Sequence, residues 1–182
     1  MPVKLKELAP AKINLFLKII NKRKDNYHNI RSGITFINLY DDIIVSENDS
    51  FKIKYIGEFA PKNHKFDDCI IEKLFKCLKI LKPNFLFTIN KNIPTQAGLG
   101  SASSNAAAVL RILEKLNLYK FDSIEKISKI GADIPMFINQ KDCLIRETGN
   151  IVINKIFPKY YFLLVKPNAN ILTKKIFNSL EE

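Results

Sequence analysis

Tryptophan is absent from the sequence, and only three cysteines and two histidines are present. The cysteines, Cys69, Cys77 and Cys143, form no Cys-x-x-Cys pair, and His28 and His64 lie in separate segments. This scarcity argues against a structural zinc site, which draws its ligands from closely spaced cysteines and histidines. We therefore expect the cysteines to be small core residues in a reducing compartment.

Long hydrophobic segments are also missing. The apolar run at 160–165 is far too short to cross a bilayer, and residues 1–8 show neither the apolar stretch nor the cleavage site of a signal peptide. We expect a cytoplasmic protein without a membrane span. Hydrophobic residues make up 47% of the 182 residues and charged residues 26%, which is typical of one globular domain with its own core.

Acidic residues are fewer than basic residues: the sequence has 18 Asp and Glu and 29 Lys and Arg, which gives a net charge of +11. Such a charge favours anionic partners. Arginine, however, supplies only 4 of the 29 basic residues, and the 25 lysines are scattered along the chain. Nucleic-acid-binding proteins favour arginine and aromatic side chains on one strip. We therefore interpret most lysines as solvated surface, which favours neither a nucleic acid nor a membrane as the partner.

The spacing of apolar residues predicts the secondary structure. The predicted strands are 12–20, 33–38, 42–46, 51–56, 85–90, 142–147, 151–155 and, buried, 160–165. The predicted helices are 68–82, 103–117, a short one from Asp122 to about Ile130, and 172–180. Asp67 or Asp68 is the expected cap of the first helix, and Asp122 with Glu125 the capping box of the third. This order predicts an α+β fold with a mostly antiparallel sheet and packed helices, in a single domain over 1–182.

Residues 94–105 form the most informative segment, because a predicted strand ends there, a loop holds Gly98 and Gly100, and a helix follows. Glycine permits positive φ and the close approach of an anion. The first amides of a helix are unpaired and lie at the positive end of its dipole, where phosphate binds. An ordinary glycine turn with a serine cap is the alternative, but it does not require small residues at every position from Gly100 to Ser104.

This segment, PTQAGLGSASSN, resembles the phosphate-binding motif of the GHMP kinases. Three further segments are similar to other motifs of that superfamily and occur in its order: 9–17 (APAKINLFL), 25–28 (DNYH) and 131–135 (GADIP). The Ser-Ser-Asn-Ala ending of the loop is most similar to one branch, whose acceptor is a cytidine-diphosphate-linked polyol of non-mevalonate isoprenoid synthesis. The resemblance also implies a ribosomal-protein-like N-terminal domain with a left-handed βαβ crossover.

The resemblance implies an ATP-dependent small-molecule kinase that uses Mg²⁺, with no protein ligand assigned to the metal. Asp133 would remove the proton of the acceptor hydroxyl, and Lys12 would orient Asp133 and offset charge on the phosphoryl oxygens. Taken singly, a turn aspartate and a solvated lysine are the simpler interpretations. The residues implied for ATP are Pro94, Ala97, Gly98, Leu99, Gly100, Ser101, Ala102, Ser103, Ser104 and Asn105.

For the acceptor, the resemblance implies stacking of Tyr27 and Phe177 on cytosine and a hydrogen bond from His28 to the base edge. Asn14 and Thr173 would add polar contacts to the substrate. Ordinary core or rim packing is the alternative for both aromatic rings.

The sequence departs from the superfamily pattern at several positions. Ser101 and Ala102 replace two glycines of the loop, Asn26 replaces the glycine before Tyr-His, and Cys69 stands where an asparagine is common. No second glycine-rich motif follows Asn150, although the superfamily carries one in a C-terminal domain. We therefore expect a fragment, a truncated protein or a split protein with a separate second half, and exposed apolar surface that favours a homo-oligomer.

Two other functions stay open. The first is a GHMP kinase with a different acceptor, such as homoserine, mevalonate or a sugar, which CDP or CMP would not inhibit. The second is an RNA-binding module of the same topology, which would bind RNA in a salt-dependent way and would not bind ATP.

Overall fold

The computed structural model describes residues 4–24, 28–61 and 69–166. Within them, a mostly antiparallel sheet of six strands and four helices confirms the predicted α+β class. In chain order the elements are β1 (Lys4–Lys22), β2 (His28–Glu47), β3 (Lys52–Ile56), α1 (Ile70–Cys77), β4 (Phe85–Asn90), α2 (Ser101–Lys115), α3 (Ile124–Ser128), α4 (Ile134–Ile138), β5 (Cys143–Glu147) and β6 (Ile151–Asn154).

Strand β2 organises the sheet. It pairs with β1 along one edge, and on its other edge its residues 42–47 pair with β4 and its residues 30–34 with β5, all antiparallel. Strand β3 extends the sheet parallel to β4, and β6 extends it antiparallel to β5. A parallel β3–α1–β4 crossover therefore exists as the resemblance implied, and its left-handedness stays a prediction.

The first two strands are longer than the sequence predicts, because 33–38 and 42–46 belong to the single strand β2 and β1 begins at Lys4. The register of β1 against β2 shifts at three points, one of them between Asn14 and Phe16. A bulge of this kind turns the following side chains to the other face of the strand. The predicted alternation over 12–20 therefore fails, and Leu17 is 50% exposed.

Helix α2 lies in the core and packs against β1 and α4. Its buried face includes Ala106, Val109, Leu110 and Leu113, as the helical spacing predicts. The helix ends at a left-handed residue, Asn117, and Leu118 N–H donates to the carbonyl oxygen of Leu113. This is a Schellman end, in which two backbone amides satisfy the last carbonyls of the helix.

Helix α1 is shorter than the predicted 68–82. It begins after Cys69, and its backbone leaves the helix at Lys79 (φ +54°), where Ile80 N–H donates to Phe75 O at 3.0 Å. Leu81 therefore lies beyond the helix and is 91% exposed. The apolar spacing continued past the point where the Schellman end stops the helix. The proposed caps Asp67 and Asp68 lie outside the described residues.

Three further features differ from the sequence predictions. Ser123, not Asp122, is the N-cap of α3, because its Oγ accepts the amide of Lys126. The five-residue helix α4 is not among the predicted elements. Residues 160–165 form no strand and Tyr161 is fully exposed, since no strand of the described sheet pairs with them and an isolated strand is not stable.

The cysteines divide by burial. Cys69 and Cys143 are buried, in agreement with the sequence interpretation, whereas Cys77 at the end of α1 is exposed. The helix predicted at 172–180 lies outside the described residues. None of the helices within 4–24, 28–61 and 69–166 combines the length and hydropathy that crossing a bilayer requires.

Candidate active site

A cavity of about 680 Å³ opens where β1, the 94–100 loop and the start of α2 meet. The loop and the first residues of α2 line one side of it. Lys12 and Asn14 of β1 and Asp133 at the start of α4 line it as well. Three segments that are far apart in the sequence therefore contribute to one site.

Two glycines shape the loop. Gly98 and Gly100 both adopt left-handed backbone angles, with φ of +73° and +74°. A Cβ atom on Gly100 would lie 2.5 Å from Phe137 Cζ and 3.2 Å from Lys12 Cγ, whereas one on Gly98 would meet nothing within 4 Å. Gly100 thus lets the loop pack closely on α4 and β1, and the backbone at Gly98 faces open space.

The N-terminus of α2 has no side-chain cap. Its N-cap residue is Gly100, which has no side chain, and no side-chain hydrogen bond satisfies the first turn. The helix begins at Ser101, two residues earlier than the predicted 103–117. Uncapped amides at the positive end of a 15-residue helix form a ready site for an anion.

Lys12 is held at this site by several hydrogen bonds. Its backbone N–H donates to Leu99 O at 3.0 Å, and its ammonium group donates to Asn14 Oδ1. Asn14 Nδ2 in turn donates to Ser32 Oγ at 2.7 Å, and that hydroxyl donates to Phe16 O. Only 8% of Lys12 is exposed. Burial lowers the pKa of Lys12, and the nearby charge of Asp133 partly opposes this by raising it.

Asp133 occupies the N-cap position of α4 and is half-buried. Its side chain makes no capping hydrogen bond to that helix, so the carboxylate is not committed to a structural role there. It lines the cavity and attracts the ammonium group of Lys12. A carboxylate, a buried cation and an uncapped helix N-terminus therefore surround one cavity, an arrangement that can bind and polarise an anionic ligand.

The structure brings most of the predicted site residues together. Those that line the cavity are Lys12, Asn14, Pro94, Ala97, Gly98, Leu99, Gly100, Ser101, Ala102, Ser103, Asn105 and Asp133. Ser104 is fully buried and does not line it. His28 pairs with Lys22 at the start of β2 and does not line the cavity, although Ile30, two residues further along β2, does. Tyr27, Thr173 and Phe177 lie outside the described residues.

Several residues at the site were not predicted. Lys91 and Tyr55 line the cavity, and the Tyr55 hydroxyl lies 3.1 Å from the sulfur of Cys69, which lines it too. Asp41 lies fully buried beneath the loop. Nothing in its Tyr-Asp-Asp context distinguishes Asp41 from a surface aspartate, whereas Lys91 directly follows the strand 85–90 and so offered a weak positional signal.

Comparison with known proteins gives consistent results. The family model described as the GHMP kinases N terminal domain matches residues 67–141. A relative from Francisella tularensis subsp. novicida, named 4-diphosphocytidyl-2-C-methyl-D-erythritol kinase, is 39% identical over 174 residues, which are 93% of this chain and 63% of the relative. A relative of the same name from Syntrophus aciditrophicus is 32% identical and is covered to 65%.

Solved structures agree in fold. The crystal structure of a 4-(cytidine 5'-diphospho)-2C-methyl-D-erythritol kinase matches 97% of this chain and 65% of its own with a TM-score of 0.76 and 25% identity. Homoserine kinase from Cytophaga hutchinsonii has a TM-score of 0.59 at 14% identity, with 98% of this chain and 60% of the homoserine kinase chain covered, which indicates shared fold alone.

The fold and the matched motifs define an N-terminal kinase domain of the GHMP type. Residues 67–141 match the N-terminal domain of the GHMP kinases, and the chain as a whole is similar to kinases of that superfamily. It spans less than two thirds of the length of the curated relatives it matches.

Proposed function

We propose that this chain is the N-terminal part of a cytoplasmic kinase that transfers phosphate from ATP to the 2-hydroxyl of 4-diphosphocytidyl-2-C-methyl-D-erythritol. The main observation that supports the proposal is that the 98–105 loop, Lys12 and Asp133 lie around one cavity. The names of the relatives, which are 32% to 39% identical, supply the acceptor.

The loop would hold the phosphates of ATP. The loop backbone is bare at Gly98, where a Cβ would face open space, and the uncapped amides of α2 offer donors to the phosphate oxygens. Mg²⁺ fits this site, because Asn105 Oδ1 is buried without a hydrogen-bond partner and Asp133 presents a second oxygen donor to the same cavity. Mg²⁺ is usually held by one or two protein oxygens together with substrate phosphates, whose charge it neutralises.

Asp133 would accept the proton of the acceptor hydroxyl as the oxygen attacks phosphorus. The reaction breaks the bond from the terminal phosphorus to its bridging oxygen and forms a bond to the acceptor oxygen, so ADP leaves and the proton passes to the carboxylate. Lys12 would orient that carboxylate and balance charge on the phosphoryl oxygens. A positioned base contributes about 10²- to 10⁴-fold in rate.

The cytidine end of the acceptor would be bound by Tyr27, His28 and Phe177, with Asn14 and Thr173 as polar contacts. Asn14 supports this part of the proposal, because it lines the cavity next to Lys12. The other four assignments rest on the resemblance alone.

The test is ADP release by the purified full chain with ATP, Mg²⁺ and 4-diphosphocytidyl-2-C-methyl-D-erythritol. We expect Asp133→Ala to abolish release while ATP binding, measured by calorimetry, is retained. ADP release that is unchanged in Asp133→Ala contradicts the assignment of the base.

The acceptor is tested separately by competition. Inhibition by CDP or CMP is expected for a cytidine-linked acceptor. Turnover of homoserine, mevalonate or a sugar without such inhibition would replace the acceptor, and salt-dependent RNA binding without ATP binding would replace the kinase assignment altogether.

A further inference from the structure

A buried ionic network lies directly beneath the loop. Asp41 is fully buried, and Lys91 and Ser101 are exposed to only 3% and 8%. Asp41 comes from β2, Lys91 follows β4 and Ser101 begins α2. The phosphoryl-transfer roles proposed above use none of these three side chains.

Asp41 joins the two ends of the loop through its two carboxylate oxygens. Its Oδ1 accepts the backbone amides of Asn92 and Ile93 at 2.7 and 2.8 Å, just before the loop begins. Its Oδ2 accepts the hydroxyl of Ser101 at 2.7 Å, just after the loop ends. The ammonium group of Lys91 donates to both Asp41 Oδ2 and Ser101 Oγ. One carboxylate therefore connects residues 91–93 to residue 101.

Burying the charges of Asp41 and Lys91 costs free energy, and the hydrogen bonds around the Asp41 carboxylate compensate for that cost. A carboxylate in the interior is tolerated only when it is paired and hydrogen-bonded, and Asp41 has four donors. Fully satisfied buried networks fix one geometry, whereas partly satisfied ones destabilise their surroundings. The network thus restricts how the ends of the loop lie relative to each other.

We propose that Asp41, Lys91 and Ser101 form a positioning clamp that holds the 94–100 loop in the shape that binds nucleotide phosphates. The inference rests on the proposed function, because it assumes a nucleotide on this loop. The three side chains act through the backbone: the Ser101 hydroxyl is occupied by Asp41 and Lys91, so its removal deletes no contact that the side chain makes to a phosphate. The clamp sets nucleotide affinity and leaves the chemical step to Asp133 and Lys12.

The first test is Ser101→Ala, which deletes one hydroxyl and retains the Asp41–Lys91 pair. We expect ATP affinity to fall at least about tenfold, because the variant loses both charge-assisted hydrogen bonds of the Ser101 hydroxyl, to Asp41 and from Lys91. KM for ATP should rise with little change in kcat. In the nucleotide-free protein, amide hydrogen exchange should accelerate in 94–103 and remain unchanged in β6. Unchanged affinity and exchange overturn the clamp.

The second test separates positioning from general stability. Asp41→Asn is compared with Glu7→Gln, the same carboxylate-to-amide change in the partly buried Glu7–Arg111 ion pair, which does not line the cavity. Both variants should unfold at lower temperature, but only Asp41→Asn should lose ATP affinity when binding is measured well below both midpoints. Equal loss in both variants overturns the clamp. If the unaltered protein binds no ATP, the proposed function fails together with the clamp, whereas unaltered affinity in Ser101→Ala and Asp41→Asn removes the clamp alone.

Discussion

The backbone N–H of Lys12 donates to the carbonyl oxygen of Leu99 at 3.0 Å. Strand β1 is thereby attached to the 94–100 loop, and Lys12 lines the same cavity as the loop. The 3.2 Å distance that a Cβ on Gly100 would have to Lys12 Cγ shows how closely the two segments approach. The position of this cation therefore depends on the loop conformation.

Gly100→Ala should be much more damaging than Gly98→Ala. Both substitutions introduce left-handed strain, which costs about 1–2 kcal/mol. Only Gly100→Ala also clashes, because its Cβ would lie 2.5 Å from Phe137 Cζ, and overpacking adds about 1–3 kcal/mol. Chemical denaturation and ATP titration of both variants measure the difference.

Gly98→Ala is the matched control, because Gly98 has the same left-handed backbone as Gly100 but no close neighbour. Equal losses of stability in Gly98→Ala and Gly100→Ala would show that backbone strain alone accounts for the destabilisation. The close packing of Gly100 on α4 and β1 would then make no contribution to the free energy of unfolding.

Nucleotide binding should take up a proton at alkaline pH. Burial lowers the pKa of Lys12 below its ordinary value of 10.5, and phosphate oxygens placed beside the ammonium group would raise the pKa again. Between these two pKa values the free protein is deprotonated at Lys12 and the complex is protonated. Affinity should therefore fall as pH rises through the pKa of the free protein.

Calorimetry in two buffers of different ionisation enthalpy measures this proton uptake. Lys12→Arg is the control, since a guanidinium stays charged throughout the range and should abolish the pH dependence. Nucleotide binding without proton uptake in the unaltered protein would mean that Lys12 does not sense the phosphates.

Glu7→Gln should destabilise the fold by about 1.5–3 kcal/mol, because it leaves the partly buried guanidinium of Arg111 without its charged partner. Arg111 Nε donates to Glu7 at 3.0 Å, and the two side chains are 17% and 12% exposed. Urea denaturation measures the loss. Lys126→Gln is the control, since its ion pair with Asp122 is 61% and 51% exposed and exposed pairs contribute little.

The loss of stability caused by Glu7→Gln should become smaller at acidic pH. Burial raises the pKa of Glu7, but hydrogen bonds from Lys115 and Arg111 outweigh it, so the pKa lies below the ordinary 4.5. A carboxylate with a lowered pKa stabilises the fold above pH 4.5 and loses that contribution as pH falls through its value in the folded protein. A loss that is constant from pH 7 to pH 3 would contradict the role of this ion pair.

Local patterns predicted much of the fold. The period of apolar residues located most strands and the long helix α2, since each pattern is complete within a few residues of chain. The same reasoning failed where a strand depends on a neighbouring strand for its hydrogen bonds. Residues 160–165 are strand-like in composition, but no strand of the described sheet pairs with them. It also failed at the end of α1, where the Schellman hydrogen bond from Ile80 to Phe75 stops a helix whose apolar spacing continues.

The sequence by itself determined the loop: its two glycines, its small residues and the helix after it are encoded within residues 94–105. Only the tertiary structure decided that Lys12 is buried beside Asp133, and that Asp41 joins the two ends of the loop. These contacts depend on the register and bulges of β1 and β2 and on how α2 packs across the sheet. Such long-range geometry is the sum of many weak packing energies, and no short stretch of sequence contains it.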